Sequence, residues 1–109
     1  MRTERTTGRD RIPAHPDIDG IGLQQILEAL VDPVRRLIVS ELYRAPEPLS
    51  CGTIDLPVSK STATHHFHVL REAGLIRQYY AGTSRMNALR REEIDAAFPG
   101  LLAALLPRP

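Results

Sequence analysis

The chain has 109 residues, enough for one small domain and too few for two. Its formal net charge is +1, and its single cysteine, Cys51, excludes an internal disulfide and suits a reducing compartment. The sequence contains no apolar run as long as a membrane span, and its first residues lack the apolar segment of a signal peptide. We therefore expect a cytoplasmic protein that does not enter a membrane.

The positive charge is concentrated in one part of the chain. Residues 59–91 contain six lysine and arginine side chains against one glutamate, a local balance of +5. A contiguous basic segment of this kind is typical of a surface that binds a polyanion. The same segment contains the single lysine of the chain, Lys60.

The beginning of the chain predicts an arm followed by a domain. Residues 1–19 are polar and interrupted by prolines, so we expect a flexible N-terminal arm there. The domain is expected to cover residues 20–106. Helical apolar periodicity begins at Ile21 and predicts the first helix.

Two helix starts follow. Asp32 before Pro33 predicts an N-cap and the first residue of a second helix, which the proline-rich residues 45–48 end. Ser50 is expected to cap a short helical turn that Pro57 stops.

The central helix is predicted to begin at its cap, Ser59, and to end at Gly74. Residues 76–80 and 84–89 read as two strands joined by a glycine turn, which is a β-hairpin. A helical pattern returns from Arg90 and, after the Pro-Gly pair, an apolar helix ends the domain.

This order of elements predicts the fold class: mainly α with a small β-hairpin. A short helix followed by a capped helix is a helix-turn-helix, and the hairpin after it is a wing. We therefore predict a winged helix-turn-helix domain, in which the N-terminal part of the capped helix enters the major groove of DNA.

The capped helix has an outward side of short polar groups and cations, suited to phosphates and base edges. The hairpin adds cations that can reach the phosphate backbone or the minor groove. The candidate DNA-binding residues are Lys60, Ser61, Thr62, Thr64, His65, His68, Arg77, Thr83 and Arg85. Helical angle places Arg71 and Glu72 on this outward side as well, whereas Phe67 and Leu70 fall on the apolar side.

The histidines of this helix have two interpretations. His66 lies on the apolar side and is expected to be a hydrogen-bonded core residue. His65 and His68 have a spacing that could chelate a metal, but no carboxylate or cysteine completes the set nearby. We therefore favour groove contact and predict no metal and no cofactor.

Two segments resemble one bacterial family. The run LVDPVRRLIV at residues 30–39 resembles the "ALADPTRLRIL" opening of ArsR-type repressors, and residues 59–76 are similar to that family's "SQSTVSHHLKVLREAGLV". The resemblance covers about residues 21–90. It implies a homodimeric winged-helix repressor that binds inverted-repeat double-stranded operators.

The resemblance also implies a dimer contact between the first and last helices. Apolar residues that a lone small domain is not expected to bury agree with that contact. They are Leu23, Ile26, Leu27, Leu101, Leu102, Leu105 and Leu106. The family's metal sites are not reproduced, because Cys51 has no second cysteine beside it and no histidine follows Arg91. The effector, if one exists, stays unknown.

Three other functions compete with DNA binding. A protein-interaction module would use the same fold, but it needs no basic segment. A redox-responsive regulator would use the thiol of Cys51, whose alternative role is that of a small buried apolar residue. An enzyme would need a nucleophile, a base and an orienting acid around a cleft, which three histidines on one helix do not supply, so we predict no catalysis.

Overall fold

The computed structural model describes Ile12 and residues 14–106. This part of the chain forms five α-helices and one three-stranded antiparallel sheet. In chain order the elements are α1 (Leu23–Leu30), α2 (Pro33–Arg44), β1 (Leu49–Ser50), α3 (Lys60–Glu72), β2 (Ile76–Ala81), β3 (Ser84–Leu89), α4 (Arg91–Ala97) and α5 (Leu101–Leu105). Short 3-10 turns cover Ile18–Gly20 and Cys51–Thr53.

Two predicted N-caps position the helices of the motif. The Asp32 carboxylate accepts hydrogen bonds from the backbone N–H groups of Val34 and Arg35, at 2.8 and 3.2 Å. The Ser59 hydroxyl accepts one from the N–H of Thr62 at 3.2 Å. Both cap predictions are confirmed, and a cap of this type stabilises a helix by about 1 kcal/mol.

Gly74 ends α3 for two physical reasons. Its φ of +78° lies in the left-handed region that favours glycine. A Cβ at this position would also lie 2.8 Å from Cγ1 of Ile21, closer than side chains tolerate. The predicted glycine stop is therefore confirmed, and the close approach also brings the segment before α1 against the end of α3.

The sheet differs from the predicted hairpin by one strand. Its order is β1-β3-β2, and the two-residue strand β1 pairs with β3 through Leu49 opposite Asn87 and Ser50 opposite Met86. β2 and β3 form the predicted hairpin, with Gly82 at a φ of +63° in its turn. A two-residue strand is too short to produce a recognisable alternation in the sequence.

The segment between β1 and α3 contains only one short turn of helix. Cys51–Thr53 is a 3-10 turn, and the Ser50 hydroxyl bonds Thr53 Oγ1 at 2.7 Å without capping a backbone N–H. Ile54 then packs into the core. The expectation of a short turn is confirmed, whereas the expected side-chain cap at Ser50 is wrong.

The core takes residues from every helix, and this corrects part of the predicted dimer surface. Ile26, Leu102 and Leu106 are buried inside the single chain, so the prediction that they form unpartnered apolar surface is wrong for these three. α5 packs against α4, and Leu102 and Leu106 point into the core. Leu23 and Leu27 keep about two fifths of their side chains exposed, at 44% and 40%.

The predicted boundary between arm and domain lies too far along the chain. His15 Nε2 accepts a hydrogen bond from the backbone N–H of Gln78 at 2.9 Å, and the Pro16 carbonyl accepts one from Arg90 at 2.8 Å. Ile18 packs against the core. Residues 15–19 therefore pack on the domain, because His15 bonds the outer edge of β2, Pro16 bonds Arg90 and Ile18 contacts the core. Of the predicted arm over residues 1–19, residues 1–11 and Pro13 lie outside the described residues.

Candidate nucleic-acid interface

One edge of α3 is exposed along its length. This exposed edge consists of six of the nine side chains that the sequence predicted to bind DNA, and all six are exposed in the structure. They are Lys60, Ser61, Thr62, Thr64, His65 and His68. Phe67 and Leu70 occupy the opposite side and are buried, with 4% and 0% exposure.

The hydroxyl groups at the start of α3 are already oriented by the helix. The Ser59 hydroxyl accepts a hydrogen bond from the backbone N–H of Thr62 and donates to Thr62 Oγ1 at 3.0 Å. Thr64 Oγ1 donates to the carbonyl of Lys60 at 2.9 Å. These bonds use the donor protons of Ser59 and Thr64 and leave the oxygen of Thr64 with a free lone pair. Within the described residues, the Lys60 ammonium has no carboxylate at ion-pair distance. It is therefore available to a phosphate.

His66 fixes α3 to the preceding helices. It is 8% exposed, and its Nδ1 accepts a hydrogen bond from Arg35 at 3.1 Å, since a guanidinium can only donate. The Nε of Arg35 donates to the Ala29 carbonyl at 2.7 Å. The prediction of a hydrogen-bonded core histidine is confirmed, and its partner is a half-buried arginine.

The structure corrects the predicted position of Arg71 on the outward side of α3. Helical angle put this residue among the exposed cations, but it is only 2% exposed. Its guanidinium donates to Gln78 Oε1 at 2.8 Å and to His68 Nδ1 at 2.8 Å, with Glu72 at 3.5 Å. Arg71 follows the buried Phe67 by one helical turn, and that spacing is the signal that could have identified its burial.

Gln78 and Asn87 complete a buried polar network that the sequence analysis missed. Gln78 is 2% exposed and Asn87 is fully buried, and they face each other across β2 and β3. The side-chain Nε2 of Gln78 donates to Asn87 Oδ1 at 2.9 Å. The side-chain Nδ2 of Asn87 donates in turn to the Leu49 carbonyl and to Cys51 Sγ. The network joins α3, through Arg71, to all three strands and thereby fixes the hairpin against α3.

The three residues of the wing that were predicted to bind DNA do not lie on one surface. Arg85 is half-buried on the face of the sheet that packs against α3, where it donates to Gln78 Oε1 at 3.4 Å. Thr83 is exposed in the hairpin turn. Arg77 alternates to the opposite face and pairs with Glu93 at 3.2 Å.

Glu93 ties the Arg77 side of the wing to α4. Hydrogen bonds from Arg90, together with the charges of Arg90 and Arg77, hold the pKa of the Glu93 carboxyl below its usual value against the opposing effect of burial. The shortest of these bonds joins Arg90 Nε to Glu93 Oε1 at 2.6 Å. The guanidinium of Arg77 is therefore engaged by the protein, unlike the ammonium of Lys60.

Cys51 lies at the inner end of the same region. It is half-buried, and it borders a cavity whose walls also include Lys60, Arg71 and Arg85. No cation adjoins the thiol in sequence, but three lie around its cavity in space. Among residues 12 and 14–106 there is no cluster of three or more side chains suited to hold a metal ion.

Comparisons with known proteins identify the fold and the family. Residues 30–79 match the helix-turn-helix domain family. The uncharacterised HTH-type transcriptional regulator YceK of Bacillus subtilis is 36% identical over 83 residues, which cover 74% of this chain and 83% of that protein. The HTH-type transcriptional regulator Rv2034 of Mycobacterium tuberculosis is 42% identical over 64 residues, covering 57% of this chain and 58% of that protein.

Solved structures of transcriptional regulators are also similar to this chain. The ArsR family transcriptional regulator RHA00566 superposes with a TM-score of 0.62 at 27% identity, over 75% of this chain and 90% of that one. The transcriptional repressor BigR from Xylella fastidiosa has the same fold, with a TM-score of 0.59 at 19% identity over 79% of this chain and 88% of that one. The predicted winged helix-turn-helix fold is confirmed.

The chain therefore belongs to the ArsR-type winged helix-turn-helix family of DNA-binding transcriptional regulators. α3 is the second helix of the helix-turn-helix motif in this fold. In the part of the chain that the structure describes, no helix is both long enough and apolar enough to span a bilayer.

Proposed function

We propose that this chain is a cytoplasmic dimeric repressor that reads an inverted-repeat DNA operator with α3 and contacts the backbone or minor groove with the wing. The observation that carries the proposal is the exposed edge of α3. Its short hydroxyl and imidazole groups can reach base edges, and Lys60 can reach a phosphate.

Charge supports the same surface. Lys60 and Arg85 are cations of this surface that pair with no carboxylate within the described residues, and the phosphate backbone supplies a large part of the affinity of most DNA-binding proteins. Lys60 is also the first residue of α3, where the positive end of the helix dipole favours a phosphate. Arg85 and Thr83 extend the contact surface onto the wing.

A second apolar stripe on α1 supports dimerisation. Ile26, Ala29 and Leu30 point into the core of the chain, whereas Leu23 and Leu27 share a separate face with Val31, which is 71% exposed. An exposed apolar stripe at four-residue spacing is suited to pack on a second copy around a two-fold axis. On α5, Leu105 is 36% exposed, and Leu101, which is half-buried, is next to it in the proposed interface.

The two-fold symmetry of the dimer determines which arrangement of operator half-sites it can bind. Two recognition helices related by a two-fold axis enter successive major grooves about 34 Å apart, so each operator half is the reverse complement of the other. A repressor of this kind acts by occupying a promoter, and its removal raises transcription of the adjacent gene.

The test is to incubate the purified full chain with fragmented DNA from its own genome and to sequence the retained fragments. The expected result is enrichment of one inverted repeat whose half-sites are about one helical turn apart. A variant in which Lys60 and Thr64 are both alanine should retain no such repeat. Uniform retention of all fragments, or none, would overturn the proposal.

A further inference from the structure

A cavity separates the recognition helix from the wing. It encloses about 390 Å³ between α3, the inner face of the sheet and the Cys51–Thr53 turn, a size typical of sites for small organic molecules. Phe67 and Ala63 provide an apolar wall. Lys60, Arg71 and Arg85 border it as well, and no aspartate or glutamate does so within the described residues.

Two of these cations converge on one neutral atom. Arg71 and Arg85 both donate to Gln78 Oε1, at 2.8 and 3.4 Å. An amide oxygen carries no net charge, so it compensates neither guanidinium. Arg71 forms an ion pair with the carboxylate of Glu72, at 3.5 Å between Nη2 and Oε2, but the Glu72 side chain is half exposed. A buried cation without a buried counter-charge is costly, and an anion in the cavity would lower that cost.

Both guanidinium groups also have unused donors. The Nε–H groups of Arg71 and Arg85 are buried and have no hydrogen-bond partner among the described residues. A guanidinium offers its donors in a planar fork that matches a carboxylate. The cavity therefore combines an excess of positive charge with an apolar wall.

We propose that this cavity binds a small organic carboxylate. The acid group lies by the guanidinium groups of Arg71 and Arg85, and its apolar body lies against Phe67 and Ala63. An inorganic anion would satisfy the cations but would leave the apolar wall uncovered.

Binding of this carboxylate has a regulatory consequence, which rests on the proposed function of α3. Lys60, Thr64 and His68 border the cavity and also belong to the proposed DNA-reading edge. A bound carboxylate neutralises positive charge at the position that a DNA phosphate needs. The carboxylate and DNA therefore compete, and the ligand acts as an inducer.

The direct test measures binding to the full-length chain without DNA. Titration calorimetry and amide NMR would follow acetate, hexanoate, benzoate and 1-naphthoate at up to millimolar concentration, with benzamide and inorganic phosphate as controls. We expect saturable binding of one carboxylate per chain. Affinity should rise with the apolar body, NMR shifts should centre on Phe67, and benzamide should not bind. Failure of the whole carboxylate series, or equal binding of benzamide or phosphate, would overturn the proposal.

Two variants test the assigned groups. Gln78→Glu places a carboxylate between the two arginines and should weaken carboxylate binding by at least about tenfold, because like charges facing each other disfavour a complex. Arg85→Leu should weaken binding similarly and provides the test if Gln78→Glu does not fold. Arg44→Leu, which removes an exposed cation of α2, is the matched control and should bind normally. Unchanged affinity in both pocket variants would contradict the assignment.

A competition experiment separates this inference from the proposed function. The DNA dissociation constant of the unmodified chain should rise in proportion to carboxylate concentration. Carboxylate binding without any effect on DNA affinity would overturn the inducer role alone. Carboxylate binding by a chain that binds no DNA would overturn the proposed function and leave the ligand site standing.

Discussion

Replacing Gln78 by leucine tests the buried network that joins α3 to the wing. Leucine fills much of the same space but provides neither the acceptor for Arg71 nor the donor for Asn87. The charge-assisted bond from Arg71 is worth about 2 kcal/mol and the neutral bond to Asn87 about 1 kcal/mol. The bond from half-buried Arg85 is long at 3.4 Å and contributes little. We expect Gln78→Leu to lower the free energy of unfolding by about 3 kcal/mol.

Urea unfolding followed by circular dichroism measures this loss. Protein concentration is held constant, because dimerisation shifts apparent stability by mass action. The matched control is Tyr79→Leu, since Tyr79 is the next residue on β2, points to the other face and is 39% exposed. The control should lose less than about 1 kcal/mol. A Gln78→Leu loss as small as that of the control would refute the role of the network.

Three further outcomes follow from the described contacts. Ser59→Ala should lower the free energy of unfolding by about 1 kcal/mol through loss of the α3 cap, whereas Ser61→Ala, whose hydroxyl caps no backbone group, should leave it nearly unchanged in the same urea assay. Burial, followed by the charges of nearby arginines, lowers the pKa of His15, whose neutral ring accepts the Gln78 N–H. The unfolded chain therefore binds this proton more readily, stability falls as pH drops below about 6.5, and His15→Gln should flatten that fall in pH-dependent thermal melts. Leu27→Lys should convert the proposed dimer to a monomer in light scattering; a dimer of unchanged mass would remove α1 from the interface.

Local sequence signals predicted the helices well because their physical causes are local. Asp32 and Ser59 cap helices through backbone groups two or three residues away, and Gly74 ends α3 by its own left-handed conformation. Each of these interactions is complete within one turn of the chain. Spacing alone was therefore sufficient to predict the helix-turn-helix order and the hairpin.

The interior of the site could not be predicted in the same way. Whether Arg71 faces solvent or Gln78 depends on how α3 packs against β2, seven residues away, and no periodicity encodes that packing. The apolar residues of α1 and α5 posed a similar problem. Sequence identified them as apolar, but only the packing of α1 and α5 on the rest of the domain separates buried Ile26 and Leu102 from exposed Leu27.

The salt dependence of DNA binding tests the central claim most directly. The logarithm of the affinity for a retained genomic fragment is plotted against the logarithm of salt concentration for the unmodified chain, for Lys60→Ala and for Arg44→Ala. If Lys60 contacts a phosphate from the exposed edge of α3, Lys60→Ala lowers the magnitude of the slope by about one, and Arg44→Ala leaves it unchanged. Equal slopes for the unmodified chain and Lys60→Ala would contradict the assignment of this edge to DNA.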